Sequence, residues 1–233
     1  MHCFVDYRTS NEELLNLKKL NIDTIIVPKT NLVYPAIDGH VDIQLNVIDK
    51  ITKTIIVQKD IDDNFLKLVS DKNINYILSD KSLGNNYPQD VSLNALILKD
   101  YFIHNTNCTD KNLLSSQKGK TIINVNQGYT KCSILPINDT ALITNDKGIY
   151  NALNKDIFDI LLLPPGDIVL PSLDYGFIGG TGGMISPDKL GFFGELSQYK
   201  YGNEVYNFLY KYDVEPISLR KGKLIDRGSL LCI

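Results

Sequence analysis

Short apolar runs recur along this chain, and stretches with helical spacing of apolar residues lie between them. Cys3–Arg8 reads as a first strand. Ser10 then stands at an N-cap position with Glu13 three residues on, the pattern of a capping box, and Leu14, Leu15, Leu17 and Leu20 give the helix an apolar face. Ile22–Val27 is a buried strand stopped by Pro28. The pattern returns with strands at Val41–Ile48 and Lys53–Gln58, a helix over Asp60–Ser70 with Phe65, Leu66 and Val69 inward, and a strand at Ile74–Leu78. Asn94–Ile103 reads as one long strand, followed by a helix at Lys111–Gln117 and a strand at Thr121–Val125. Ser133–Ile137 and Ala141–Thr144 predict a hairpin across Asn138-Asp139-Thr140, whose residue types suit a turn. A helix at Lys147–Leu153 and a strand at Ile157–Leu163 follow. Leu190–Glu195, a helix at Asn203–Tyr212, Val214–Leu219 and a closing segment Asp226–Ile233 complete the chain.

Strand, helix, strand is thus repeated about five times, in units of roughly 35–55 residues, near the repeat lengths of arrays and propellers. The units match in pattern and not in sequence. The last strand belongs to no unit of its own. Pairing it with Cys3–Arg8 closes a ring and removes free sheet edges. No Pro/Gly/Ser-rich joint divides the chain, so one domain over 1–233 is expected.

Composition changes this picture little. The balance of 24 basic and 27 acidic residues, net −3, is spread along the chain, and no basic stripe points to nucleic acid. Asp6, Arg8, Glu12 and Glu13 interrupt any leader-like pattern, and runs such as Ile160–Leu163 are strand-sized rather than membrane-sized. The expectation is a cytoplasmic protein of undecided oligomeric state, bound to neither nucleic acid nor membrane. Cys3, Cys108, Cys132 and Cys232 form no C-x-x-C pair, so no metal and no cofactor is expected, and free thiols are.

Four features carry chemistry. Gly39-His40-Val41-Asp42 places a titratable base and a carboxylate two residues apart at the mouth of a predicted strand, where alternate side chains share a side. The competing reading is a histidine that merely lines a strand. Gly176–Gly183 is the densest glycine run, and Gly179 and Gly180 suit a backbone wall of a central pocket, an N–H anion nest, or simply a tight turn. It carries neither a P-loop nor a dinucleotide fingerprint. Arg227 suits a clamp for a substrate carboxylate, or a salt bridge to Asp226. Asn94 is a candidate hydrogen-bonding wall of the same pocket, whereas His104 and His2 read as incidental.

Five helix-bearing modules resemble the pentein fold of guanidino-group-modifying enzymes. Gly39-His40-Val41-Asp42 resembles the Gly-His-Val-Asp of agmatine and peptidylarginine deiminases, and Ile143-Thr144-Asn145-Asp146 is similar to the Phe-Thr-Arg-Asp of arginine deiminases. Nearly the whole chain resembles an uncharacterised bacterial family with this fold. The resembling strings are Gln127–Ser133, Gly176–Gly180 and Asp226–Ser229. The fold this implies is α/β: a pentein-like five-module α/β propeller, its strand-rich modules each carrying one helix around a central pseudo-fivefold axis. The implied activity is that of a hydrolase or amidine transferase acting on a small guanidinium compound. His40 would serve as general acid/base, and Asp42 and Asp146 would hold the guanidinium. The order departs from the family, in which an acidic residue precedes the histidine and a cysteine follows close to the C-terminus: here His40 comes early, Asp146 comes later, and the terminal region offers only Cys232. Cys132 is the first choice of nucleophile, because it stands before its strand as His40 stands before its own, and Lys131 beside it favours a thiolate. Cys232 is the second choice, against its reading as part of the closing strand. The alternative is a non-catalytic pentein that binds a small molecule or a protein partner.

Overall fold

The computed structural model describes all residues, Met1–Ile233. Five three-stranded sheets share one plan. A first strand pairs antiparallel with a second, and a helix leads from the second to a third strand lying parallel to it. The chain begins on the second strand of module 1, with β1 (His2–Asp6), α1 (Asn11–Lys19) and β2 (Asp23–Val27). Module 2 holds α2 (Val41–Gln44), β3 (Leu45–Asp49), β4 (Thr54–Val57), α3 (Asp63–Asp71) and β5 (Asn75–Leu78). Module 3 holds β6 (Leu96–Ile97), β7 (Tyr101–His104), α4 (Lys111–Ser116) and β8 (Thr121–Asn124). Module 4 holds α5 (Thr130–Ser133), β9 (Ile134–Pro136), β10 (Ala141–Thr144), α6 (Lys147–Ala152) and β11 (Asp159–Leu162). Module 5 holds β12 (Gly182–Ser186), β13 (Lys189–Phe192), α7 (Gly202–Tyr210) and β14 (Glu215–Ser218). The last strand, β15 (Leu231–Cys232), returns to module 1 and pairs antiparallel with β1.

The ring closes because each pair of neighbouring modules buries its own apolar cluster. Phe4 and Val27 of module 1 meet Leu45 and Phe65 of module 2. Ile56 meets Leu93 and Phe102 between modules 2 and 3, and Ile103 meets Leu142 and Phe158 between modules 3 and 4. Leu135 and Ile143 meet Phe192 and Val205 between modules 4 and 5, and Phe193 and Leu219 meet Val5 and Leu17 between modules 5 and 1. Both faces of a sheet are therefore covered, which is why Ile55-Ile56-Val57 is an unbroken apolar run buried throughout. Ser10 and Glu13 form the capping box of α1, as expected, and Asp62 and Asp110 cap α3 and α4.

Four expectations are corrected. Val41–Ile48 is not one strand: Val41–Gln44 is a single helical turn, and β3 begins at Leu45. Asn94–Ile103 is not one long strand but the tight hairpin of β6 and β7, turning at Leu98–Asp100. Gly182–Ser186, inside the glycine-rich stretch, is a strand, because β13 supplies the ladder that weak intrinsic propensity leaves open. Cys3 and Cys232 are not free thiols, since the β1–β15 register sets them opposite one another and they form a disulfide.

Candidate functional site

Every module presents a short station just ahead of its first strand, and the five stations meet on the axis. They are Asp226–Ser229 before β15, His40–Gln44 before β3, Val91–Ala95 before β6, Thr130–Ser133 before β9, and Ile178–Thr181 before β12. Hydrogen bonds join them in a circle. The Asp42 N–H donates to Gly228 O at 3.0 Å. The Asn94 amide donates from Nδ2 to Asp42 O and to Cys132 Sγ, both at 3.0 Å, and its Oδ1 accepts from Cys132 N at 3.1 Å. The Lys131 ammonium donates to Gly179 O at 3.4 Å, and Ser229 N donates to Gly180 O at 3.1 Å. Close backbone approach at the last two joints requires glycine. A Cβ on Gly179 would lie 2.3 Å from Lys131 O, and one on Gly180 would lie 1.9 Å from Asp226 Oδ1.

The side chains in this circle are buried: Asp42, Asn94 and Ser229 at 0% exposure, His40 at 1%, Cys132 at 2%, Asp226 at 3% and Lys131 at 5%. Ser229 Oγ donates to Asp42 Oδ2 and accepts from Lys131 Nζ at 2.9 Å. His40 Nδ1 stands 3.8 Å from Asp226 Oδ1. Asp226 takes N–H groups from Phe177 and Gly228, each at 2.9 Å. Among the seven side chains just named, both ring nitrogens of His40 and Asp42 Oδ1 have no partner. Native interiors rarely leave such groups unsatisfied, so these atoms mark where a polar ligand belongs.

Electrostatics follow from burial. It disfavours the imidazolium and pushes His40 down, with Asp42 and Asp6 opposing it. It pushes the Asp42 carboxyl up, and lifts Asp226 to about 6 against the two N–H groups it accepts. It raises the Cys132 thiol well above its ordinary value, and the Asp42 and Asp226 charges add to that, while the Asn94 hydrogen bond acts the other way. Lys131 is pushed down by burial and held up by Asp42, Cys132 and Asp226.

An aromatic roof belongs to the same region. Tyr34 and Tyr129 share a hydrogen bond at 3.1 Å, and the Tyr129 hydroxyl donates to the buried Asp90, which raises its own proton affinity. That leaves the Tyr34 hydroxyl proton for Tyr129. Tyr87 and Phe177 rings flank Tyr129 at 6.1 and 6.0 Å. The charges of Asp90, Cys132 and Asp226 all act on the Tyr34 hydroxyl and, with burial, hold its proton on.

The structure brings His40, Asp42, Asn94, Cys132, Gly179 and Gly180 together on the axis. The route differs for the first two, because His40 is the N-cap position of α2 and Asp42 lies in its first turn rather than on a strand. Gly179 and Gly180 serve as a wall of carbonyl acceptors and not as an N–H nest. Asp146 does not join them. Its Oδ1 accepts from Ile149 N as the cap of α6, its Oδ2 accepts from Gln127 Nε2, and it lines a rim cleft of about 360 Å³ with Asn124 and Gly148. Arg227 pairs with Glu13 at 3.5 Å, not with Asp226, so its fork is turned toward the start of α1. Cys232 is held by Cys3 and Cys108 bonds to Asn105 O, which leaves Cys132 as the axial thiol. His104 is buried, with Nε2 on Gly128 O and Nδ1 on Thr109 Oγ1, and it fixes the turn that leads into α5. Asp226, Ser229, Tyr34 and Asp90 were missed. The repeated station offered a signal for Asp226 and Ser229, whereas Tyr34 and Asp90 lie in long loops with no such regularity.

A family model matches residues 4–231. The chain belongs to DUF6873, a family of unknown function. A search of curated proteins finds no match. Among solved structures, the DUF6873 chain is similar to SxtG, an amidinotransferase of the saxitoxin biosynthetic pathway from Microseira wollei. That match has 11% identity and a TM-score of 0.57, over 94% of this chain and 74% of the other. It is also similar to the inosamine-phosphate amidinotransferase StrB1 from Streptomyces griseus, at 14% identity and a TM-score of 0.56, over 90% and 74% of the two chains. The fold is the pentein fold. No helix is long and apolar enough to cross a membrane.

Proposed function

We propose that this protein modifies a small guanidinium or amidinium compound through Cys132, as a hydrolase or amidine transferase. The observation that carries this reading is the meeting, from three modules, of a thiol, a neutral histidine and two carboxylates around unpartnered polar atoms. A planar, donor-only cation complements that set. Asp42 Oδ1 and the Asp226 carboxylate accept its N–H groups. The unliganded site keeps the thiol protonated, because burial and two carboxylates oppose the thiolate. A bound cation reverses that balance. His40, neutral in the site, accepts the thiol proton as sulfur bonds to the central carbon. The C–N bond then breaks as His40 returns the proton to the leaving nitrogen. Water or an acceptor amine attacks the amidino thioether, the C–S bond breaks, and the thiol is restored. The test is covalent capture with a haloacetamidine, located by mass spectrometry. Adduct at Cys132, blocked by guanidines and not by neutral ureas, is expected. Absence of any adduct on the folded protein sinks the reading.

The complete covering of Cys132 favours a second reading, a non-catalytic pentein that holds a small cation or a partner. Saturable binding of a guanidine without turnover or adduct distinguishes it.

A further inference from the structure

Lys131 is the one cation inside the axial circle, and the proposed chemistry does not use it. Its stem begins in α5, next to Cys132, and its ammonium crosses to the stations of modules 5 and 1, ending on Gly179 O and Ser229 Oγ. A hydroxyl has one proton, and Lys131 already serves Gly179 O, so the Ser229 proton goes to Asp42 Oδ2. The result is a directed chain, Lys131 to Ser229 to Asp42, that ends on the carboxylate beside the thiol. Ser229 is held in it at a φ of +71°, a left-handed conformation that non-glycine residues rarely adopt. That conformation places the hydroxyl between ammonium and carboxylate.

We propose that Lys131 is a positioning residue: its fixed ammonium, acting through Ser229, anchors Asp42 and supplies the internal counter-charge that allows Cys132 to ionise. The groups acting on the thiol are Asp42 of α2, Asp226 and Asn94, with His40 beside Asp226; Cys132 in turn acts on the Tyr34 hydroxyl and on Lys131, and Lys50 beyond β3 adds its charge on Lys131. Among these, Asp42 and Asp226 oppose the thiolate, and Lys131 is the cation nearest to it in the chain. Its presence also sets a conflict. A cation in the site favours the thiolate but repels a cationic substrate, so removing it moves the two properties in opposite directions.

This rests on the proposed Cys132 chemistry, and its test is separate from that chemistry. Thiolate ultraviolet absorbance is followed from about pH 6 to about pH 10, without and with saturating methylguanidine as the bound cation, in a Cys108→Ala background, with the matched Cys132→Ser protein subtracted. Lys131→Met is expected to raise the Cys132 midpoint by about one pH unit, a tenfold loss of thiolate at fixed pH, while guanidinium binding is retained or tightens. Lys131→Arg, which keeps the charge, is expected to stay near wild type. An unmoved midpoint in folded Lys131→Met protein overturns the inference, even where haloacetamidine still labels Cys132. A midpoint that shifts in protein no guanidine binds leaves the inference standing and overturns the guanidinium reading instead. A wild-type thiol that stays protonated throughout this range even with methylguanidine bound overturns both.

Discussion

Asp42 on the axis and Asp146 on the rim are both carboxylates at the start of a short helix, and they live by different rules. Asp146 caps α6 beside an open cleft, with one oxygen on Ile149 N and the other on Gln127. Asp42 accepts from Ser229 on one oxygen, keeps the other unpartnered, and is fully buried among residues of three other modules. A rim carboxylate completes a local element and is screened by water. An axial carboxylate completes nothing local, and its environment comes from parts of the chain more than fifty residues away, such as Asn94 and Ser229. The lesson is that function follows the station and not the motif string, since both aspartates were drawn from strings resembling enzyme elements.

The comparison breaks most decisively at the thiol. Cys132→Ser is expected to abolish haloacetamidine capture completely, whereas Cys108→Ser retains it. Capture that survives Cys132→Ser removes the axis as the reactive region. Next in size is Asp42→Ala, which leaves the Lys131 charge uncompensated in the interior and is expected to cost about 3–5 kcal/mol in urea unfolding. A cost no greater than that of a surface cap would mean the circle holds nothing together.

Acid titration sharpens the contrast at His104, between axis and rim. Burial pushes its folded pKa down to about 4, from an ordinary value near 6.5. The group therefore contributes full stability above about 6.5, and that contribution is lost as pH falls toward 4. The loss amounts to about 3 kcal/mol at most. The stability gap between wild type and His104→Gln should shrink across that window, and a flat gap would show that His104 is not the buried neutral group. The smallest effect is at the rim: Asp146→Ala is expected to cost about 1 kcal/mol as a lost N-cap, with guanidine capture at Cys132 unchanged. Lost capture at unchanged stability would return Asp146 to the site.

Much of the fold was legible from local pattern. The α1 capping box, the run Ile55–Val57 and the hairpin across Asn138–Thr140 each carry their signal within a few residues, and each forms as read. Where neighbours decide, reading failed. Val41–Gln44 has strand-like residues but turns once as a helix, with the Asp42 N–H given to Gly228 rather than to a ladder. Gly182–Ser186 has little strand propensity and is a strand because β13 pairs with it.

The sequence by itself determined five strand–helix–strand modules and a last strand for the first to pair with, because apolar spacing and caps are local properties. It also put His40 and Cys132 at equivalent positions. Only the tertiary structure decided that Asp226, Ser229 and Lys131 share that circle and that Asp146 and Arg227 stand outside it. Those memberships depend on where five stations converge, and convergence is set by the packing between modules.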